Sequence, residues 1–329
     1  MTIKNKGKCE SRNRLPHFFI TILLLTITLT TYAQQPSDGE ENESTRLEKL
    51  GHEHAMASRF EKAIEAWKSL TVRNMQLENI EEYALAYYYT GKHSEGLNIA
   101  LQGLELFPQS PRLSRVAMMC CVELGAFDDA LLYFQKLMGI ANDSLYDTDY
   151  YYYARIYDSK NQYEEAIRHY KTAVSLTGDR SLVNHNAILK EMLQCYLSYT
   201  SSLIEKAQVS EGEARTSIYK KADKLYAELE TLYPDATEFA TFMRARVNAY
   251  LDPTLIGALA LPHYQKIITL INPKTEKDEA DIFRLSEAYL YMISYYTNIK
   301  NDSATAKDYA MKLYEIDPEN PIAKKLLDL

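Results

Sequence analysis

Cysteine, tryptophan and glycine are scarce in this sequence, and the small number of cysteines limits the disulfide bonds that the chain could form. Its 329 residues include four cysteines, one tryptophan and 11 glycines. Cys9 lies in the N-terminal leader described below, which leaves Cys120, Cys121 and Cys195 in the rest of the chain. An odd count is a poor disulfide framework, so we expect packing to hold the fold together and these thiols to be free and buried. A bridge from Cys120 or Cys121 to Cys195 is the alternative in an oxidising compartment.

Motifs of catalysis and cofactor binding are also missing. The sequence has no HExxH zinc motif, no glycine-rich phosphate loop and no serine or cysteine catalytic constellation. Its histidines His169, His185 and His263 have no partners at metal-ligand spacing. We therefore predict a protein that is not an enzyme and that binds neither a cofactor nor a metal.

The first 33 residues have the plan of a secretory signal peptide. Five basic residues precede the apolar run FFITILLLTITL, and Thr31 and Ala33 are the small residues that cleavage needs. The run is shorter than the roughly 20 residues of a membrane span. We therefore predict cleavage between Ala33 and Gln34 and export to the periplasm. An uncleaved membrane anchor is the alternative.

Without the leader the chain is strongly acidic. It keeps 32 Lys+Arg against 44 Asp+Glu, a net charge of −12. Such a surface repels phosphate backbones, so nucleic acid is not an expected partner. No later segment is long and apolar enough to span a membrane, so no membrane span is expected after cleavage.

What the sequence does have is a repeat. The stretches LEKLGHEHAMASRFEKAIEAW, YALAYYYTGKHSEGLNIALQG, AMMCCVELGAFDDALLYF and DTDYYYYARIYDSKNQYEEAIRHY share a pattern of apolar, small and aromatic positions. Their small residue falls at Ala63, Gly96, Ala130 and Ala166, at spacings of 33, 34 and 36 residues, and it recurs at longer spacings as far as Ala306. This resembles the tetratricopeptide repeat, a pair of antiparallel helices in about 34 residues with the pattern W-x2-L-G-x2-Y, then A-x3-F, then P.

The resemblance implies an all-α fold. It would be a right-handed superhelix (α-solenoid) of about seven tetratricopeptide-like helix pairs, ending in a short capping helix at PIAKKLLDL. Residues 1–33 are then the signal peptide and residues 34–43 a disordered linker. Residues 44–180 hold four regular repeats. Residues 181–329 hold degenerate helix pairs, whose exact boundaries stay open, and the capping helix.

Tyrosine is the abundant aromatic residue, with 27 in the chain. Tyr150, Tyr153 and Tyr157 recur at i, i+3 and i+7, the spacing of one helix face, and they occupy positions where the family keeps core residues. Tyr163 and Tyr170 occupy core positions of the following helix. We assign these five rings to the core, where a ring fills the space between helices and its hydroxyl reaches a partner at the edge.

The resemblance also implies a binding site, because the first helices of successive repeats line a concave groove in this family. The residues carried across to that groove are Glu48, His52, Met56, Glu81, Leu85, Tyr88, Tyr89, Arg112, Arg115, Met119, Tyr151, Arg155 and Asp158. A solvated inner face without a ligand is the alternative for each of them. Family members that grip a terminal carboxylate use asparagine where this chain has His52, Leu85, Met119 and Arg155, so that activity is not expected here.

We predict from this an interaction scaffold of the cell envelope, which holds a peptide segment or a helix of an envelope component in its groove. The alternative is a carbohydrate-binding or enzyme-accessory protein, whose sugar would stack on Tyr88, Tyr89 and Tyr151. Removing the charges of Arg112 and Arg115 should weaken the binding of a peptide but not that of a neutral sugar. The sequence leaves the partner and the oligomeric state open.

Overall fold

The computed structural model describes residues 42–141, 145–178 and 183–329, and these residues are helical without any strand. They form fifteen α-helices and two short 3₁₀ turns. The α-helices are α1 Glu43–Met56, α2 Phe60–Trp67, α3 Leu77–Tyr89, α4 His93–Leu106, α5 Pro111–Glu123, α6 Phe127–Ala141, α7 Asp147–Ser159, α8 Tyr163–Leu176, α9 His185–Gln208, α10 Gly212–Leu232, α11 Thr237–Leu251, α12 Leu261–Ile271, α13 Glu279–Asn298, α14 Ser303–Ile316 and α15 Pro321–Leu327. The predicted signal peptide and most of the predicted linker lie outside the described residues. Within the described part of the chain, no helix combines the length and the apolar character that crossing a membrane requires.

The described residues divide into two compact units, one that ends at Leu70 and one that begins at Thr71. In the first unit α1 packs against α2, and the contact is close because Gly51 has no side chain. A Cβ atom built on Gly51 would lie 2.3 Å from the indole ring of Trp67. The indole N–H of Trp67 donates to the carbonyl oxygen of Glu48 at 3.2 Å. The glycine of the first helix and Trp67, which stands at the aromatic position of A-x3-F after Ala63, therefore meet at the contact between these two helices.

In the second unit, each helix from α3 to α15 packs against the next one along the chain. This gives six helix pairs and a final short helix. The first helices of the second, third and fourth pairs, α3, α5 and α7, also contact one another in sequence. Counting the pair α1 and α2 of the first unit, the described helices confirm the prediction of an all-α fold of seven helix pairs and a C-terminal helix. Within the second unit, each pair packs upon the next as in an α-solenoid.

The small residues that define the repeat are buried where helices approach closely. Ala130 and Ala166 have no exposed surface. A Cβ atom on Gly96 would lie 3.1 Å from the backbone oxygen of Ala84 and 3.2 Å from the sulfur of Cys120. A larger side chain at these positions would push neighbouring helices apart, which explains why the spacing of small residues marks the repeat.

A second mark of the repeat lies in the turn, five residues before the small position. In five of the helix pairs this turn residue has a positive φ angle, and it is glycine or asparagine in four of the five. The residues are Ser58 (54°), Gly91 (73°), Gly125 (74°), Asn161 (57°) and Asn301 (51°). Glycine adopts this conformation without a clash, and asparagine is more tolerant of it than most residues. Because this mark recurs at Asn301, the last helix pair, α13 and α14, has the same turn as the regular repeats.

The three cysteines among the described residues are free and buried, as predicted. Cys120 and Cys121 lie in α5, and Cys195 lies in α9. Burial raises the pKa of Cys120 to about 12 and that of Cys121 to about 11. Both thiols therefore stay protonated at neutral pH, and the reactive thiolate is not formed.

The tyrosine face predicted in α7 surrounds a histidine of α8. The rings of Tyr150, Tyr153 and Tyr157 have their centroids 6.0, 4.4 and 5.6 Å from the centroid of His169. Tyr153 also stacks on Phe134 of α6 at 3.7 Å. The three tyrosines pack against the core as predicted, although each of them stays half-buried.

The aromatic surroundings hold His169 in its neutral form. The residue is buried, and its Nδ1 atom has no hydrogen-bond partner among the described residues. Burial, and then the positive charge of Arg168, lower the pKa of His169 from 6.5 to about 4, while the carboxylate of Glu165 opposes the shift. Between these pH values the unfolded chain binds a proton that the folded chain excludes. The contribution of neutral His169 to the free energy of unfolding is therefore fully present above about pH 6.5 and is lost as the pH falls towards 4.

Replacing His169 with phenylalanine should remove this part of the acid sensitivity. In the wild-type protein the free energy of unfolding should fall by roughly 2–3 kcal/mol on account of His169 between pH 6.5 and 4. Denaturant titrations across this range measure the loss, and His185→Gln, which removes an exposed histidine, is the control. Equal pH slopes for the wild type and His169→Phe would mean that the folded chain protonates His169 as readily as the unfolded chain does.

Candidate functional site

A first cavity in the second unit borders the helices α3, α5 and α7. These three helices and α9, the first helices of pairs two to five, are called the inner helices below. The volume of the first cavity is about 490 Å³. The residues that line it are Leu85, Arg112, Arg115, Val116, Met119, Leu145, Tyr146, Asp147, Thr148, Leu176 and Gly178. Four of these, Leu85, Arg112, Arg115 and Met119, are predicted groove residues, and they come from two neighbouring repeats.

The first cavity has an apolar interior. Val116 and Met119 of α5 are buried, and Leu85 of α3 is half-buried beside them. At the edge, Leu176 exposes 50% of its surface and Tyr146 exposes 59%. Large apolar side chains exposed next to an apolar cavity are typical of a surface that a partner covers.

Both arginines of the first cavity form ion pairs, and the pair of Arg115 is buried. Its guanidinium donates to the two carboxylate oxygens of Asp149 at 2.5 and 2.8 Å, and Asp149 has no exposed surface. Asp149 also accepts from the backbone N–H of Tyr146 at 2.9 Å and so caps the start of α7. Removing the charge of Arg115 would leave a buried carboxylate unpaired, so this substitution would test folding rather than the choice between a peptide and a sugar.

Glu81 and Arg112 form the second pair, which joins α3 to α5. Arg112 donates to one carboxylate oxygen of Glu81 at 3.1 Å, and the hydroxyl of Ser110 donates to the other at 2.6 Å. Glu81 was expected to face the groove, but it is buried, and the two donors compensate for the loss of water around its carboxylate. The side chain of Arg112 stays about half exposed at the rim of the cavity.

Helix α7 is covered on two sides, and the surface position predicted for Tyr151 is therefore wrong. Tyr151 exposes only 6% of its surface. Its hydroxyl donates to Glu191 of α9 at 2.8 Å, and its ring packs against Tyr152 and Tyr170. The helical spacing of the tyrosines indicates the face that packs on α8. It does not show that side chains of α5 and α9 cover the opposite face as well.

Arg155 connects three inner helices through two carboxylates. It donates to Glu123 of α5 at 2.5 Å, and its Nε atom lies 3.4 Å from an oxygen of Glu191 of α9. Tyr152 of α7 donates to Glu123 at 3.2 Å and shares a hydrogen bond with Tyr88 of α3. Tyr88, Glu123, Tyr152, Arg155 and Glu191 are called the inner network below, because their contacts run from α3 to α9.

The tyrosines predicted to stack on a sugar are largely covered by other rings. Tyr88 is half-buried, and the rings of Tyr89, His93 and Tyr152 lie 5.6, 5.3 and 6.5 Å from it. Tyr89 exposes 38% of its surface. With Tyr151 buried, the three tyrosines do not form one exposed aromatic platform.

The second cavity is smaller and polar. Its volume is about 350 Å³, and it lies beside the C-terminal half of α7, between α8 and α9. The residues that line it are Phe127, Arg155, Asp158, Ser159, Asn161, Tyr163, Tyr170, Glu191 and Ser198. It contains two more of the predicted groove residues, Arg155 and Asp158.

Three predicted groove residues lie in α1, in the first unit. Glu48 and His52 are half-buried there, and Met56 is exposed. Their part in binding stays a prediction.

Sequence analysis missed several residues of the two cavities. Leu176 follows Ala173 by three positions in α8, which is the spacing of the buried face, so its exposure could not be read from the pattern. Glu191 lies in α9, beyond the four regular repeats, where the repeat register no longer indicates which residues face inwards. Leu145 and Tyr146 could have been found from their positions, because they directly precede the inner helix α7 and Tyr146 is its N-terminal capping residue.

A family model described as tetratricopeptide repeat matches residues 154–183, from the second half of α7 through α8. No curated protein matches the chain. Among solved structures, the C-terminal part of a tetratricopeptide repeat-containing protein from Cytophaga hutchinsonii is 23% identical, over 76% of this chain and 100% of that chain, with a TM-score of 0.39. A tetratricopeptide repeat protein from Parabacteroides merdae is 13% identical, over 87% and 98% of the two chains, with a TM-score of 0.38. A structure of MamA protein is 18% identical, over 58% and 95% of the two chains, also at 0.38.

The family model and the helix pairs agree on the same unit. The matched residues contain the small position Ala166 and the turn residue Asn161, and these two marks recur in helix pairs before and after the match. Residues 154–183 are therefore similar to a tetratricopeptide repeat, and the helix pairs on either side share the two marks of this unit.

Proposed function

We propose that the protein is a non-enzymatic scaffold, which binds a peptide segment or a helix of a partner protein with an apolar side chain of the partner in the first cavity. Tetratricopeptide repeats generally mediate interactions between proteins. The observation that carries the proposal is the first cavity itself, where side chains of neighbouring repeats surround one apolar space of about 490 Å³. This volume falls within the roughly 300–1,000 Å³ of ligand sites.

The rim of the first cavity has the composition of an interface centre. Tyr146, Leu176 and the half-exposed Arg112 surround the opening, and Leu85 and Met119 lie further in. Tyrosine and arginine around an apolar pocket are the residue types that contribute most to binding energy between proteins. An apolar side chain of a partner would displace water from this pocket, and the rim would make polar contacts with the flanking backbone.

The geometry favours a protein partner over the sugar alternative. Stacking on a sugar needs exposed ring faces, and Tyr88 and Tyr151 have theirs against other rings or against the core. An apolar cavity, by contrast, suits leucine, methionine or an aromatic side chain better than the hydroxyl-covered surface of a glycan.

Leu176→Glu should disrupt binding without disturbing the fold. Leu176 is half exposed at the rim, so a carboxylate there is solvated in the free protein but meets the apolar side chain of the partner in the complex. The probe is a set of peptides selected on the wild-type protein from a random library displayed on phage. Fluorescence anisotropy with these peptides should show at least a tenfold loss of affinity, about 1.4 kcal/mol.

Leu132→Glu is the matched control for this experiment. Leu132 lies in α6, is 62% exposed and lines neither cavity. The Leu132→Glu variant should bind the selected peptides with the affinity of the wild type. The selected peptides should have a large apolar residue in common. Equal affinity of the wild type and Leu176→Glu, or an equal loss in both variants, would contradict the first cavity as the binding site.

We propose further that the protein is exported to the periplasm and that its partner is a component of the cell envelope. The leader of basic, apolar and small residues supports this. Mass spectrometry of the protein from an envelope fraction should give an N-terminus at or near Gln34. A chain that still carries Met1 and stays with the membrane would favour the uncleaved anchor instead.

A further inference from the structure

We infer that the second cavity receives a basic side chain, lysine or arginine, of the same partner segment. The cavity is lined by two carboxylates, those of Asp158 and Glu191, and by one cation, Arg155. The inference rests on the proposed function, because it adds a second contact for the segment whose apolar side chain enters the first cavity.

The positive charge of Arg155 is already shared within the protein. Its Nη1 atom lies 2.5 Å from an oxygen of Glu123, and its Nε atom lies 3.4 Å from an oxygen of Glu191. Two carboxylates thus share one guanidinium, and the net charge of these three groups is negative. The carboxylate of Asp158, the second acid that lines the cavity, adds to this negative charge. The next cation along the chain, Lys160, is hydrogen-bonded to Asp128 and does not line the cavity.

Asp158 is the carboxylate that a cation of the partner would meet. It lies half-buried in the last turn of α7, and it has no ion pair with any cation in the described part of the chain. Burial raises the pKa of Asp158, the hydrogen bond from Cys195 lowers it, and the charge of Glu191 raises it again, with a net upward shift. A carboxylate whose ionised form is disfavoured in this way is stabilised by a cation placed beside it.

The rest of the lining suits an ammonium or a guanidinium group. The half-buried rings of Phe127 and Tyr163 border the cavity, and the hydroxyls of Ser159 and Ser198 add hydrogen-bond acceptors. Aromatic rings attract cations through their negative faces, and hydroxyl oxygens accept from N–H donors. The volume of about 350 Å³ is enough for one long side chain and the water around it.

Helix α7 sets the distance between the two contacts. Thr148 lines the first cavity and Asp158 lines the second, ten residues further along the same helix. Ten residues of α-helix span about 15 Å. An extended peptide covers that distance in four to five residues at about 3.3 Å each. The partner segment should therefore carry its basic residue about five positions from its apolar one when it binds extended.

The test uses a small probe of the second cavity that does not depend on the first. The probe is Nα-acetyl-arginine methylamide, and the citrulline analogue, which has nearly the same shape without the charge, is its control. Isothermal titration and saturation-transfer NMR should show that the full-length protein binds the arginine compound at least tenfold more tightly than the citrulline compound. Asp158→Asn should remove this preference. Asp308→Asn, at an exposed carboxylate of α14, should retain it.

The outcomes separate this inference from the proposed function. Equal binding of the two compounds by the wild type, or no binding of either, overturns the inference, and so does an unchanged preference in Asp158→Asn with a normal circular dichroism spectrum. Peptides selected by phage display that bind through the first cavity but lack any basic residue also overturn it, and they leave the proposed function standing. A charge preference in the second cavity without any selected peptide would contradict the proposed function, and with it the placement of both contacts on one segment, but it would leave the cation preference of the second cavity standing.

Discussion

The buried ion pair between Arg115 and Asp149 is the contact on which the arrangement of the inner helices depends. It joins α5 to α7 by two parallel hydrogen bonds, and Asp149 at the same time caps α7. A charge pair out of water is stable only when both partners are present and fully hydrogen-bonded, so this contact permits one relative position of the two helices. Apolar packing between the same helices would tolerate sliding more easily.

The two cavities follow from that fixed position. Arg115 forms part of the wall of the first cavity, and the inner network, anchored at Arg155, borders the second. Because the walls are held by ion pairs and by tyrosine hydroxyls, a partner that binds as proposed would require little ordering of the cavities. The same pairs show that Glu81, Arg115 and Arg155, at predicted groove positions, hold neighbouring helices together.

The sequence predicts the fold well and the site only in part. Small residues at Ala63, Gly96, Ala130 and Ala166 indicate the helix pairs, because close helix contacts leave no room for larger side chains. The polar contacts between repeats have no such local signal. Arg115 pairs with a residue 34 positions away and Arg155 with one 32 positions away. Many charged residues lie about one repeat apart in this chain, and the structure is needed to tell which of them meet.

The error at Tyr151 has the same origin. An isolated amphipathic helix has one buried face, and the spacing of Tyr150, Tyr153 and Tyr157 marks it correctly. A helix inside a stack of repeats has a second covered face, where Tyr151 meets Glu191 of the next pair. Tyrosine suits both faces because its ring packs while its hydroxyl donates, so the residue type does not distinguish them.

A double-mutant cycle on Arg115 and Asp149 tests most directly whether the inner helices depend on this ion pair. The free energy of unfolding would be measured by denaturant titration for Arg115→Met, Asp149→Asn and the double variant. Each single substitution should cost about 3–5 kcal/mol, because it leaves its partner buried and unpaired. The double variant should cost less than the sum by at least about 1 kcal/mol. Single costs below about 1 kcal/mol, or losses that simply add, would show that apolar packing alone fixes α5 against α7.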